Sequence, residues 1–313
     1  MATPCEFTRV LRVRAAELGF DCIGIAPAVS PPGFHPLLEW LASGYAADMD
    51  WMERRREAYE HPKGVLPGAR SVIVAAMNYH NRSPDPDSAR VARYAWSGQD
   101  YHDVLRKRLK QVSTVLHRAV PECRTRVVVD TAPLLERDFA RLAGIGWFGK
   151  NTMLISRRLG SWFFLGAVLT DQELEYDEPF EADHCGTCTR CLDACPTDAF
   201  PEPGVLDSNR CISYHTIENR DGDVPAALAS RFGGWIFGCD ICQEVCPWNR
   251  FAPSDSDPAF HPREDLYTVD LHRILQLSET EFLEQVRGTP LERTGLKALQ
   301  RNARIAVANS SPD

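Results

Sequence analysis

No long apolar run occurs in the sequence. Its most hydrophobic stretch, "WFFLGAVL" (162–169), is far shorter than the roughly 20 residues needed to cross a bilayer, so no membrane partner is expected. The first twenty residues carry polar and charged side chains throughout; no export signal is read there, and a cytoplasmic protein is expected. Positive charge is also in short supply. The 35 Lys and Arg are outnumbered by 43 Asp and Glu, for a net charge of −8, which excludes a generic nucleic-acid coat but not a local basic face. The known phosphate-loop glycine patterns are missing: "GIGWFGKN" (144–151) fits neither the Walker nor the dinucleotide pattern. It reads instead as a glycine-bearing loop whose backbone approaches a ligand closely. No long-period repeat is evident. What remains is an ordinary globular composition, 44% apolar and 25% charged over 313 residues, with room for two or three domains.

Cysteine is the exception. There are eleven, and eight of them fall between residues 185 and 246. A disulfide scaffold is not expected in a chain of this length without an export signal. "CGTCTRCLDACP" (185–196) is the run Cys-x2-Cys-x2-Cys-x3-Cys-Pro, in which three thiolates hold one iron–sulfur cubane and the fourth crosses to another. Zinc sites pair two separate knuckles, so iron–sulfur is the better reading. "GCDICQEVCPWN" (238–249) has three cysteines where a cubane needs four. Ligand counting resolves the shortage. Cys185, Cys188, Cys191 and Cys246 are assigned to one [4Fe–4S] cluster, and Cys195, Cys211, Cys239 and Cys242 to the other. Cys5, Cys22 and Cys123 are read as buried small hydrophobes. Two cubanes move electrons but do no substrate chemistry alone, so the first 170 residues are expected to hold a redox-active cofactor or substrate.

That first part reads as mixed helix and strand. A helix is expected over 7–18 with Phe7, Val10, Leu11, Ala15 and Leu18 on one face. Strands are expected at 21–26, 71–77 and 126–130, the second covered on both faces. A helical stripe of Val104, Leu105, Leu109, Val112 and Leu116 follows, and a helix ending near Ala143. "SPDPDS" (83–88) reads as a loop, and the stretches at 173–184 and 252–260 as connectors.

Several stretches resemble the epoxyqueuosine reductase family. They are "RYAWSGQDYHDVLRKRLKQ" (93–111), "VVVDTAPLLERDFARLAGIGWFGKNTMLI" (127–155), "CGTCTRCLDACPTDAF", "CISYHTIENR" and "GCDICQEVCPWNRF". The resemblance implies an α+β architecture: a nitroreductase-like cobalamin-binding domain over 1–174, a two-cluster ferredoxin-like module over 175–255, and a short helical C-terminal segment over 256–313, a partial tRNA-binding repeat. It implies cobalamin beside the two clusters, held without a histidine ligand. The sequence agrees, because the Asp-x-His-x-x-Gly box is broken by Leu105 after His102. It implies reduction of the epoxide of epoxyqueuosine in tRNA, electrons from an external one-electron donor, and a monomer.

By the same resemblance Asp130 is the proton donor, with a carboxyl raised by burial at the end of a strand, although Asp-Thr-Ala-Pro is also a good helix start. Arg93, Tyr101, Arg137, Lys150 and Asn151 are expected to line the corrin or substrate, with Ser213 and Asp240 at the corrin edge. Arg293, Lys297, Arg301 and Arg304 are spaced for one helix face that could meet phosphates, and Arg220 for the anticodon loop. Two other readings stay open. A corrinoid reductive dehalogenase would be expected to carry a twin-arginine signal, and a non-enzymatic electron carrier would bind no cobalamin.

Overall fold

A computed structural model describes residues 4–82, 89–254 and 256–310, with the side chains of residues 4–7 outside the description. The loop at 83–88 and the side chains of Cys5 and Phe7 therefore lie outside the described residues. The centre is a four-stranded sheet in the order β1 (Cys22–Pro27), β2 (Ser71–Asn78), β7 (Phe163–Thr170), β4 (Thr125–Val128). All three pairings are antiparallel. The three expected strands are present. The fourth, β7, is the apolar run noted above only for being too short to cross a bilayer. Its register with β2 pairs it along its whole length.

Side chains alternate across this sheet as the strand period requires. Ile73, Ala75 and Met77 of β2 face one core with Leu105, Leu109 and Leu116 of the helix Tyr101–Ala119. Val72, Val74 and Ala76 face the other, with Phe139 and Ala140 of the helix Glu136–Leu142. Truncating a fully buried residue such as Leu109 would cost about 2–5 kcal/mol. Two glycines let the helices close on the sheet. A Cβ on Gly166 would meet Leu109 Cδ1 at 2.7 Å, and one on Gly24 would meet the Ala143 carbonyl oxygen at 2.1 Å.

The N-terminal helix Pro4–Glu17 departs from its expected face. Leu11 and Ala15 are buried, but Val10 is 46% exposed and Val13 54%, because Thr8, Leu11, Ala15 and Leu18 make the inward stripe and Val10 lies one step, about 100°, off it. Cys123 is buried, as expected, and Cys22 only half-buried.

Smaller elements join the cysteine-rich segment to this body. β3 (Arg90–Val91) pairs in parallel with β8 (Trp235–Phe237), and β5 (Trp147–Phe148) with β6 (Leu154–Ile155) in a hairpin. The last segment folds onto the β3–β8 pair. Phe282, Val286, Leu291, Leu299 and Ala303 share a core with Val91, Trp96 and Phe237. Asn302, fully buried in the helix Leu296–Ser310, donates to the carbonyls of Thr216 and Ile236. The C-terminal helices thus complete a core with the rest of the chain. Among the described residues no helix is long and apolar enough to cross a membrane.

Candidate functional site

The eight clustered cysteines are all free thiols, and several of them influence one another electrostatically. Burial and the neighbouring thiols of Cys246 and Cys185 push Cys191 up to about 11. Cys246 is raised by burial and feels Cys185 and Cys188. In the second group Cys211 feels Cys195, Cys239 feels Cys242 and Cys211, and Cys242, deeply buried, feels Cys211 and Cys195. These neighbours overlap with the sets expected from ligand counting, and Cys242 feels Cys191 ahead of Cys195, so the expected sets adjoin. Raised thiols beside one another are what a cation-binding site looks like before the cation neutralises it; iron binds them as thiolates. Among the described residues no three such groups converge tightly enough on a single ion. A cubane needs less convergence, because each thiolate binds a different corner.

Lys150 holds the first set's loop. Its Nζ donates to the carbonyls of Gly186 at 2.7 Å and Cys188 at 3.0 Å. Asn151 donates to the Cys242 carbonyl at 3.1 Å. The glycines before them serve the chain itself. A Cβ on Gly146 would meet the Ile155 carbonyl oxygen at 2.1 Å, and one on Gly149 would meet Asn151 Oδ1 at 2.6 Å. The "GIGWFGKN" loop is therefore a tight hairpin clamping the cluster segment; a close approach to a ligand is not what its glycines answer to.

Between the sheet and the second cysteine set lies a cleft of about 520 Å³, about 1740 Å³ with its mouth included. Cys211, Cys239 and Cys242 line it, and so do Asp130, His102 and Glu136. Tyr101 stacks flat on Phe164, with ring centroids 4.2 Å apart, to form an aromatic floor.

Asp130 follows β4 in a left-handed conformation, φ +56°, which costs a non-glycine residue about 1–3 kcal/mol. Two interactions impose it. Its backbone N–H donates to Glu136 Oε1 at 2.9 Å, and Oδ2 meets His102 Nε2 at 3.0 Å. His102 in turn meets Asp100 Oδ1 through Nδ1 at 2.6 Å, while Asp100 caps the helix by accepting from the His102 backbone N–H. Arg293 approaches the same imidazole at 3.0 Å. A carboxylate–imidazole–carboxylate chain results, ending in the cleft.

Protonation in this chain differs from expectation. Burial favours the neutral Asp130 carboxyl, but the hydrogen bond and charge of His102, with Arg293 and Tyr101, outweigh it and hold Asp130 below its ordinary value. Its side chain remains 57% exposed toward the cleft, so the expected rise by burial does not occur. The sheet is antiparallel, so the strand-end crevice of parallel sheets is not what places it. Burial lowers His102, but its bonds to Asp100 and Asp130 win and raise it. Glu136, on the cleft floor, is pushed up to about 8 by burial and the Asp130 charge. The acid raised beside Asp130 is Glu136, and His102 is raised with it.

Of the other expected corrin-lining residues, Tyr101, Arg137, Asn151, Ser213 and Asp240 line the cleft. Two do not. Lys150 is spent on the first cysteine loop, and the Arg93 side chain lies over Trp162 and pairs with Glu244, lining a separate groove. Its backbone N–H donates to buried Asp240, whose carboxyl burial pushes up to about 7. The expected basic stripe is also broken. Gly295, φ +76°, separates Arg293 from the final helix, and Arg293 turns to the cleft. Arg301 donates to the carbonyls of Gly222 and His215, both at 2.6 Å, and is not free for phosphate. Arg220, Lys297 and Arg304 stay exposed. Sequence reasoning missed His102, Glu136, Asp100 and Arg293 as one unit. Only the Asp-x-His spacing at a helix start hinted at part of it.

The cleft's lining suits a corrinoid on two counts. Tyr101 and Phe164 offer a stacked aromatic surface. His102, the one histidine among its described lining residues, has both ring nitrogens engaged and is not free to bind a metal.

Residues 184–249 match a family model described as "4Fe-4S double cluster binding domain", and residues 60–131 one described as "Epoxyqueuosine reductase QueG, DUF1730". An epoxyqueuosine reductase of Synechocystis sp. is 46% identical over 90% of this chain and 98% of that protein. One of Gloeobacter violaceus is 43% identical over 96% and 95%. Among solved structures, an epoxyqueuosine reductase with a tRNA-Tyr epoxyqueuosine-modified stem loop superposes with a TM-score of 0.92 at 34% identity, over 98% of this chain and 82% of that one. A Bacillus subtilis epoxyqueuosine reductase, whose catalytic aspartate loop is swung out of its active site, gives 0.89 at 32%, over 98% and 82%. With a mixed helix–strand body, a double-cluster segment and relatives matched along nearly their whole length, this chain belongs to the epoxyqueuosine reductase family.

Proposed function

We propose that the chain reduces the epoxide of epoxyqueuosine in the anticodon loop of tRNA to the alkene of queuosine, releasing the oxygen as water. The balance is two electrons and two protons per epoxide. The observation that carries this reading is a single cleft lined both by three of the clustered thiols and by His102 and Asp130, the cleft end of the Asp100–His102–Asp130 chain. Electrons and protons thus reach one cavity. A non-enzymatic carrier would have no use for the proton chain.

The residues of the cleft would hold cobalamin, which, reduced by the two [4Fe–4S] clusters, would supply the reducing chemistry for the epoxide. Tyr101, Arg137, Asn151, Ser213 and Asp240 are the residues proposed to hold it, and a nitroreductase-like ancestry for residues 1–174 is proposed with it. Residues 175–255 carry the clusters, and 256–313 close the rim through Arg293.

Asp130 is the group that hands a proton to the opening epoxide oxygen. The proton reaches it from His102, which it touches at 3.0 Å and which is raised while Asp130 is lowered. Glu136 holds the Asp130 backbone in place and keeps its own proton to about pH 8. Arg220 lies in a second groove with Glu218, which also lines the cleft. The tRNA loop therefore enters past Arg220, with Lys297 and Arg304 meeting further phosphates.

The test is Asp130→Asn with an epoxyqueuosine-bearing stem loop. It keeps cobalamin and both clusters by absorbance and loses conversion by about 10²–10⁴-fold, the usual span for removing a general acid. Near-normal conversion would remove Asp130 from the mechanism.

A further inference from the structure

A second cavity lies beside the cysteine-rich segment. It is a groove of about 750 Å³, and the cysteine that lines it is Cys246, of the first set. The cleft meets only cysteines of the second set, Cys211, Cys239 and Cys242. Each expected set therefore contributes to its own cavity. Electron transfer slows steeply with distance, so the surface closest to the first cluster is the natural point of entry, and the second cluster the point of exit into the cleft.

The groove has the chemistry of a transient protein interface. Arg190 and Arg250 line it and are exposed, and neither forms an ion pair among the described residues. Its acidic Glu244 is already neutralised by Arg93 at 3.0 Å and Arg90 at 3.8 Å. Asp193 accepts from the Thr189 hydroxyl. Beside the groove Phe251 is 84% exposed, far beyond any other large apolar side chain described, with the Arg250 guanidinium over its ring at 5.9 Å. An exposed aromatic flanked by free arginines is the composition of a binding hot spot. On a chain of net charge −8, a locally positive entrance beside a cluster selects an acidic partner and steers it.

We infer that this groove is the docking site of an acidic, low-potential electron-carrier protein of the ferredoxin type, which delivers one electron at a time to the Cys185/Cys188/Cys191/Cys246 cluster. This rests on the reading that the clusters feed the cleft. At each encounter the carrier loses one electron and the first cluster gains one; no bond is made or broken at the groove. Two encounters serve one epoxide. A small footprint fits, since electron-transfer complexes bury little surface, under about 1,200 Å².

The test follows cluster bleaching in stopped flow when the cluster-loaded enzyme, without substrate, is mixed with a reduced acidic plant-type two-iron ferredoxin, a carrier of about −400 mV. The double variant Arg190→Gln/Arg250→Glu should slow the second-order rate at least about tenfold at low salt, with the difference fading as screening shortens toward about 3 Å at 1 M. Phe251→Ala should slow it several-fold at every salt concentration. Reduction by dithionite, iron content and the spectra of both reduced clusters should stay as in the parent protein. Wild-type rates with ferredoxin in both variants would overturn the proposal. So would loss of rate in Arg210→Glu/Arg231→Glu instead, since Arg231 reaches Pro196 and Arg210 reaches Asp198 beside the second set. Dithionite-driven conversion of the stem loop is read separately. Its absence in the parent protein would sink the proposed function and leave the docking result standing.

Discussion

Replacing His102 by Gln tests the origin of the catalytic proton. The substitution leaves an amide that can still donate to Asp130 but holds no titratable proton. In the native chain the imidazole meets Asp100 at 2.6 Å and Asp130 at 3.0 Å. Hydrogen bonds to charged partners are each worth about 1.5–3 kcal/mol, or about one to two pH units at about 1.36 kcal/mol per unit. They act in opposite senses on the two partners, raising His102 and lowering Asp130. A group raised on folding contributes its stabilisation below its unfolded value, about 6.5 for histidine, and loses it as pH climbs through the higher folded value. Conversion by the native enzyme, driven by dithionite and read on the stem loop from about pH 5.5 to 9, should therefore hold below the histidine value and fall above it.

In His102→Gln, Asp130 loses its strongest stabilising partner and rises, while the chain loses its titratable proton. Conversion at pH 7 should drop about 10²–10³-fold and recover as pH falls. The alkaline limb of the native profile should vanish. A variant with the native pH profile, or one whose activity is unchanged at pH 7, would refute the relay and leave Asp130 to draw its proton elsewhere.

Three further outcomes are expected. Cys211→Ala should lose one cluster selectively, with iron and sulfide analysis giving about half of the parent content and the other cluster's spectrum retained; two intact clusters would break the ligand assignment. Arg301→Ala should destabilise the fold by roughly 1–3 kcal/mol in denaturant unfolding, because two carbonyls lose a charged donor. Lys297→Ala and Arg304→Ala should leave stability within about 0.5 kcal/mol and weaken stem-loop binding, lowering the slope of affinity against salt by about one for each phosphate no longer neutralised.

Local pattern determined much of this protein. The run of Cys-x2-Cys-x2-Cys-x3-Cys-Pro and the later Cys-x2-Cys-x3-Cys-Pro are short-range constraints, because cluster ligation depends on spacings within a few residues. The double-cluster segment was legible for that reason, and the β2 strand and the Tyr101–Ala119 helix followed from their apolar periods. Family membership followed from motifs quoted whole. Side-chain roles at long range were not legible. Arg93 and Lys150 sit inside matching motifs, yet the fold turns one toward Glu244 and the other toward the Gly186 carbonyl. Arg301 and Arg304 share a helix, and only packing against His215 and Gly222 separates the structural one from the free one.

The proton chain shows the same division most clearly. Asp100, His102, Asp130, Glu136 and Arg293 are spread over nearly 200 residues, and their protonation depends on mutual distances that no local window contains. Burial alone predicted a raised Asp130; the neighbour His102, brought to 3.0 Å by tertiary packing, reversed the sign. Electrostatic energy varies with distance in space and with the polarity between charges, and neither is written in the order of residues. The sequence by itself determined which metal centres this chain is built to hold and which family it joins. Only the tertiary structure decided where protons reside and which cavity each expected cysteine set lines.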